Sequence, residues 1–222
     1  MNVLAKLFLG MAIILGLILI PSGSLYVWQA WVYVAILAGC GLLILLHLRR
    51  HDPELLKRRL EEKERVQEQK LFRRISGPLW IIGFATSGFD HRFGWSSALC
   101  GSVPIVVTAI SDVLLLCAFY LLFRVLRFNT YASSTVQVEA GQRVISTGPY
   151  RIVRHPMYSG FVIVYWLTPF ALGSYAAMPI FFLLIPILLY RLVEEEKFLD
   201  RELPGYPDYR RQVPFRLIPY LL

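Results

Sequence analysis

Two groups of residues in this chain have types and spacing suited to chemistry. The first lies in Thr147–Gly160, which reads TGPYRIVRHPMYSG; Tyr150, Arg151, Arg154, His155 and Tyr158 fall within nine positions there. The second is RLVEEE, Arg191 to Glu196. Arg191 and Glu195 are spaced i, i+4, which puts them on one face of a helix. One group is basic and the other acidic, so together they suit a ligand carrying both signs of charge.

Pro156 suits the first turn of a helix, where its missing N–H costs nothing. A helix starting there points its positive end and free N–H groups at the preceding loop, a setting for a carboxylate or phosphate. Arg154 and His155 strengthen that setting. The glutamates match an ammonium or ribose hydroxyls, and Tyr150 and Tyr158 match the face of a base. S-adenosylmethionine, with a carboxylate, an amine, a ribose and a purine, fits this inventory, and ATP-like ligands fit parts of it. The sequence has no GxxxxGKS/T loop and no strand-associated GxGxxG, so neither a P-loop nor a Rossmann site is indicated.

The elements that must position these groups are apolar. The 222 residues are 56% hydrophobic with a mean hydropathy of +0.55. A soluble domain of this size must show water a more polar surface. The expected fold is all-α, a polytopic transmembrane bundle of about five to six helices of about 20 residues each, with a short, proline-broken C-terminal hairpin. Val3–Ile20 is a first span rather than a cleaved signal, because further spans follow, and Pro21–Ser24 is a tight turn. Leu25–Leu48 is a second span, with Tyr26, Trp28, Trp31 and Tyr33 as an interfacial aromatic belt. A third needs a start near Phe72–Ser76 and ends at Asp90, His91 and Arg92, which read as a helix-end cluster. Val103–Phe128 is a fourth, and its Asp112 reads as structural. Phe161–Leu172 and Tyr175–Val193 form the hairpin, turning at Gly173 and Ser174 and broken by Pro169, Pro179 and Pro186. Interrupted membrane helices of this kind line protein-enclosed cavities.

Residues 49–74 read as a charged helix on the cytosolic side, with Leu55, Leu56, Leu60, Val66 and Leu71 as an apolar, lipid-facing stripe. The chain thus divides into N-terminal membrane helices, 1–128, and a C-terminal catalytic region, 129–222. Ten Lys or Arg fall between Arg49 and Arg74, and more around Arg143–Arg154 and after Arg191, whereas the opposite loops hold Arg92. With six crossings the positive-inside rule puts both termini and both chemical groups on the cytoplasmic face of an integral, multi-pass protein. The net charge of +8 is spread between apolar blocks, which points to anionic membrane lipids and away from nucleic acid. Cys40, Cys100 and Cys117 have no metal-ligand spacing, so no metal is expected. No protein partner is evident.

TGPYRIVRHPMYSG followed by EEEKFL and then GYPDYRRQVPFRLIP resembles the integral-membrane isoprenylcysteine carboxyl methyltransferase family, which is related to phospholipid N-methyltransferases. The resemblance covers roughly Thr135–Pro219. It implies a cytosol-facing S-adenosylmethionine site contacted by Gln142, Arg143, Val144, Ile145, Tyr150, His155, Pro156, Met157 and Tyr158, with Glu195 holding the cofactor and Glu196 beside it. It implies that Arg191 engages a substrate carboxylate. Arg191 and Arg154 are the candidate catalytic residues. The four-residue gap from Arg191 to Glu195 matches the family's spacing. The charged segment Lys57–Arg74 departs from the family pattern.

The expected reaction is methyl transfer to a carboxylate of a lipophilic, isoprenylcysteine-like or lipidated substrate. A carboxylate is already ionised near pH 7 and needs no general base. A phospholipid amine would need one, from Glu195, Glu196 or His155. A membrane reductase using NADPH and a non-enzymatic membrane protein are the other readings.

Overall fold

The computed structural model describes residues 3–60, 67–131 and 142–220. Among them there are helices and connecting turns and no strand. Helix α1 (Val3–Ser22) ends where Gly23 turns left-handed at φ +64° and the Ser22 hydroxyl donates to the Leu19 carbonyl at 2.8 Å. Helix α2 (Trp28–His51) runs antiparallel to it. These two and α6 (Ile105–Phe128) are each long and apolar enough to cross a membrane. Large apolar side chains along them stand outward, among them Phe8, Ile13, Leu43, Leu46, Ile110 and Val113. Outward apolar faces of that extent fit lipid rather than water.

The charged stretch 49–74 is not one helix. α2 continues through Arg49–His51 and breaks at Asp52 and Pro53. Asp52 Oδ1 accepts the Leu55 N–H at 2.9 Å, and Pro53 fills the first position of α3 (Pro53–Leu60). This is an acidic N-cap followed by proline, a strong start signal. Leu55 is fully buried against Leu48 of α2 and Leu126 of α6, so at this residue α3 packs onto the bundle instead of facing lipid. Val66, expected on the stripe, lies outside the described residues. The last part of the stretch forms the first turns of α4 (Gln67–Phe93), which is one continuous helix through Pro78.

Helix α7 (Pro156–Ala171) and helix α8 (Met178–Glu202) make the C-terminal hairpin, turning at Gly173, φ +69°. α8 outlasts its apolar stretch by more than two turns. The three glutamates that follow Val193 are therefore on ordered helix. The hairpin packs between α6 and α4. Two close helix approaches in the bundle depend on glycine. A Cβ on Gly160 would lie 2.7 Å from Leu122 of α6, and one on Gly88 of α4 would lie 2.2 Å from the Ile18 carbonyl of α1. Between α2, α4, α7 and α8 sits an aromatic core of Tyr33, Trp80, Phe84, Tyr165 and Phe181, with ring centroids 5.2 to 6.0 Å apart. Asp112 is buried within α6, and its Oδ1 has no hydrogen-bond partner among the described residues.

The far end of the bundle is locked by Asp90. It is buried at the end of α4 and accepts the Ser96 N–H at 2.7 Å, the Ser96 hydroxyl, and the Ser174 hydroxyl at 2.6 Å. Ser96 opens the short helix α5 (Trp95–Leu99) and Ser174 lies in the α7–α8 turn. His91 joins the same turn through Nε2 and the Leu172 carbonyl, 2.7 Å apart. The Asp-His-Arg triplet is thus a helix-end cluster, of which Asp90 and His91 pin the hairpin. Asp90→Ala leaves buried donors without an acceptor, at a cost of about 3 kcal/mol. A Tm lower by roughly 10 °C in detergent is expected, with Asp90→Asn intermediate. An unchanged Tm would show that the clamp carries no stability.

Candidate active site

Thr147–Arg154 is folded by its own glycine and by three later segments. Gly148 has φ +59°, and a Cβ there would meet the Phe128 ring at 2.6 Å, so glycine alone fits. The short 3-10 turn Gly148–Arg151 then buries Tyr150. Asn129 Nδ2 donates to the Tyr150 hydroxyl at 2.8 Å, and the Tyr209 hydroxyl donates to the Tyr150 carbonyl at 2.7 Å. Tyr209 belongs to α9 (Tyr206–Gln212), which follows α8 and covers the loop.

Past α9 the chain runs back as a strap along the start of α7. The Arg154 and His155 N–H groups donate to the Phe215 and Arg216 carbonyls, each at 2.9 Å. Ser159 Oγ donates to the Leu217 carbonyl at 2.7 Å. The strap is held from α8 by Glu196. Its Oε1 accepts from Arg154 Nε at 2.7 Å and lies 3.1 Å from His155 Nε2, and its Oε2 accepts from Arg216 Nε at 2.8 Å. Arg154 Nη1 also donates to the Val213 and Pro214 carbonyls, at 2.8 and 2.6 Å. Burial alone would raise the Glu196 carboxyl. The hydrogen bonds and charges of His155 and Arg154 outweigh it and hold the group down to about 2. Burial, with the Glu196 charge added, raises the Tyr206 hydroxyl well above the usual phenol range, so it stays protonated.

Above this floor lies a cavity of about 270 Å³ between the 142–158 segment, α8 and the α3–α4 side of the bundle. Gln142, Arg143, Val144, Ile145, Tyr150, Arg154, His155, Met157, Tyr158, Arg191 and Glu195 all line it. The structure therefore brings most of the residues expected from sequence to one place. Glu195 receives a hydrogen bond from the Tyr158 hydroxyl at 2.5 Å. One turn earlier on α8, the Arg191 guanidinium stacks over the Phe72 ring of α4, 4.7 Å from its centroid.

Three expected residues sit differently. Glu196 is buried beneath the cavity with both oxygens engaged, and it does not line the space that Glu195 lines. Pro156 opens α7 as expected and is also outside the lining. Arg154 touches the cavity while its guanidinium is committed to Glu196 and two carbonyls. Other lining residues had no role assigned in sequence: Arg59 of α3, Phe72, Phe161 and Tyr165, and the tyrosines Tyr206 and Tyr209. The tyrosines lie in the GYPDYRR motif, which was the available signal. Nothing in the charged run around Arg59 distinguished it.

The lining of the cavity carries groups that match the charges and rings of a molecule such as S-adenosylmethionine. Glu195 offers an anion for an ammonium, buried tyrosines offer ring faces, and guanidiniums offer partners for a carboxylate. Comparison with known proteins agrees with this chemistry. Residues 106–204 match the family model described as phospholipid methyltransferase. A methanethiol S-methyltransferase of Crocosphaera subtropica is 36% identical over 75 residues, 32% of this chain and 28% of that protein. A methanethiol S-methyltransferase 2 of Bradyrhizobium diazoefficiens is 40% identical over 81 residues, 32% of this chain and 27% of that protein. A Delta(14)-sterol reductase of Mus musculus is 28% identical over 90 residues, 39% of this chain and 22% of that protein. The chain thus spans less than a third of the length of these relatives.

The low Glu196 value has a consequence for stability. A carboxyl held below its unfolded value near 4.5 stabilises the fold above that value. The contribution is lost as pH falls toward 2, and it amounts to about 3 kcal/mol. In thermal melts from about pH 6 to about pH 3, the wild type should lose Tm on acidification. Glu196→Gln should start lower and show a flatter profile. Parallel profiles would assign the acid sensitivity to other groups.

Proposed function

Because residues 106–204 carry the phospholipid methyltransferase family pattern, we propose that this protein is an S-adenosylmethionine-dependent methyltransferase of the membrane. Its acceptor is a lipophilic molecule that presents an anionic nucleophile, a carboxylate of isoprenylcysteine type. The observation that carries this reading is the placement of Arg191 and Glu195 one turn apart on α8, both lining the same cavity.

Glu195 would hold the donor's ammonium, with Tyr158 fixing the carboxylate through its hydrogen bond. Tyr150, Tyr206 and the 142–145 segment would enclose the nucleoside. S-adenosylmethionine supplies, when bound, an electrophilic methyl group on a sulfonium. Arg191, oriented by the Phe72 ring, would hold the acceptor anion in line with it. Phe72, Phe161, Tyr165 and Leu188 make that end of the cavity apolar, which excludes water and suits a lipophilic body. An anion needs no general base. A phospholipid ammonium would instead meet the like charge of Arg191.

Thiolate acceptors are a second reading. They too are anionic nucleophiles, and two relatives are named for methanethiol S-methylation. The sterol reductase likeness leaves NADPH as the competing cofactor.

Arg59, Arg143, Arg154 and Arg191 line the cavity, which favours a cytoplasmic-facing site in a multi-pass protein. A lipophilic acceptor would then arrive from the bilayer and the donor from water.

Titration calorimetry with S-adenosylmethionine and with NADPH on the purified protein tests the cofactor. Arg191→Ala should abolish transfer to prenylcysteine analogues while keeping donor affinity within a few-fold. Glu195→Ala should lose donor binding, by roughly 10- to 100-fold. A base-labile product would mark an ester, and a stable one an S- or N-methyl group. Normal binding and turnover in both variants would overturn the assignment.

A further inference from the structure

The apolar end of the cavity stops abruptly, and one side chain makes the stop. The cavity lies at the start of α7 and toward the end of α8, the open end of their hairpin. Depth is therefore measured along both helices toward their connecting turn. Among the described residues that line the cavity, Tyr165 is the deepest on α7 and Leu188 the deepest on α8. Leu188 comes three residues before Arg191, and Tyr165 one turn after Phe161. The open space beyond the Arg191 position is thus about 5 Å deep, the rise of one helical turn.

Beneath that depth the bundle is filled. One turn further, Thr168 of α7 and Leu184 of α8 are fully buried, and the Thr168 hydroxyl is 3.0 Å from that of Tyr33. Behind Tyr165 the Trp80 ring meets it edge-on at 5.4 Å, and Trp80 is itself packed on Phe84 and Phe181, at 5.2 and 5.4 Å. A Cβ on Gly83 would lie 2.9 Å from the Phe181 ring, so α4 is already at its closest approach here. Tyr165 is buried and stacks with Phe161 at 6.3 Å. It separates the cavity from a close-packed aromatic interior, and such interiors yield little volume to a ligand.

We propose that Tyr165 is a specificity-determining residue, the stop that limits the apolar group enclosed beside the acceptor's anion to roughly one isoprene unit or a butyl chain. This deepens the methyltransferase reading above and rests on it, because Arg191 holds the anion from which the depth is counted. The acceptor class narrows to anions followed by a short apolar group. Of a longer prenyl chain, only the first unit is enclosed.

The test uses the full chain in nanodiscs and calorimetric titration, with no turnover required. The probes are N-acetyl-S-alkylcysteines carrying methyl, butyl, octyl and farnesyl groups, each affinity being corrected for the probe's partition into empty nanodiscs. In wild-type protein, affinity should rise by up to about fourfold per added carbon as far as butyl and then stop rising. Tyr165→Ala should extend the rise, so that the ratio of octyl to butyl affinity grows by roughly 10-fold. Tyr165→Phe keeps the ring and should keep the wild-type break. Thermal melts report whether each variant is folded; where Tyr165→Ala is not, Tyr165→Val and the wild-type break carry the test. A steady climb from methyl to farnesyl in wild-type protein overturns the proposal, as does an identical break in folded Tyr165→Ala. If wild-type protein binds S-adenosylhomocysteine and the alkylcysteines but shows no break, this inference fails alone. If it binds no alkylcysteine, the acceptor reading fails first and takes this inference with it.

Discussion

One buried carboxylate holds the C-terminal half of the molecule together. Glu196, at the end of α8, is shared by Arg154 and His155 from the start of α7 and by Arg216 from the terminal strap. An ion pair taken out of water recovers its desolvation cost only when its geometry is good and its other polar atoms are satisfied. Here both carboxylate oxygens are engaged, and Arg154 is further tied by two backbone carbonyls. The network makes the loop, the helix start and the strap one unit, and that unit is the floor on which the cavity rests.

The hairpin of α7 and α8 carries this floor at one end and is fastened at the other by Asp90. The two fasteners are unlike. At the Glu196 end, charges of opposite sign join segments distant in sequence. At the Asp90 end, a carboxylate accepts from a backbone amide and two hydroxyls at the edge of the bundle. Between them the aromatic core of Tyr33, Trp80, Phe84, Tyr165 and Phe181 fills the interior with rings that resist collapse. A cavity in a membrane bundle needs such support, because the lipid around it provides no hydrophobic drive for helices to associate.

The cavity itself is divided along α8. Glu195 and Tyr158 make a polar wall, and Arg191 one turn away meets apolar and aromatic side chains. This order underlies the proposed joining of a water-soluble donor to a lipophilic acceptor, with the charged helix α3 closing the side from which sequence gave no expectation of function. The match of residues 106–204 to the phospholipid methyltransferase family covers α6 to α8. The floor's strap, and α3 with Arg59, lie outside it.

The sequence by itself determined the helices and much of the site. Apolar runs, Pro156 at a helix start, Gly173 at a turn and the i, i+4 spacing of Arg191 and Glu195 are local signals, and each is realised because it depends on its own neighbours. Spacing put Glu195 on one face with Arg191 but did not show where Glu196 would point. Adjacent helical residues point roughly 100° apart, and which of the two faces the cavity depends on how α8 is rotated against α7. Only the tertiary structure fixed that rotation, through Arg154 and Arg216, which are remote in the chain. It also decided the fate of the charged stretch. Composition reads such a run as solvated, but one buried leucine, Leu55, folds α3 inward and carries Arg59 to the site. Local pattern sets which residues form helix, and long-range packing and charge pairing decide which of their side chains meet.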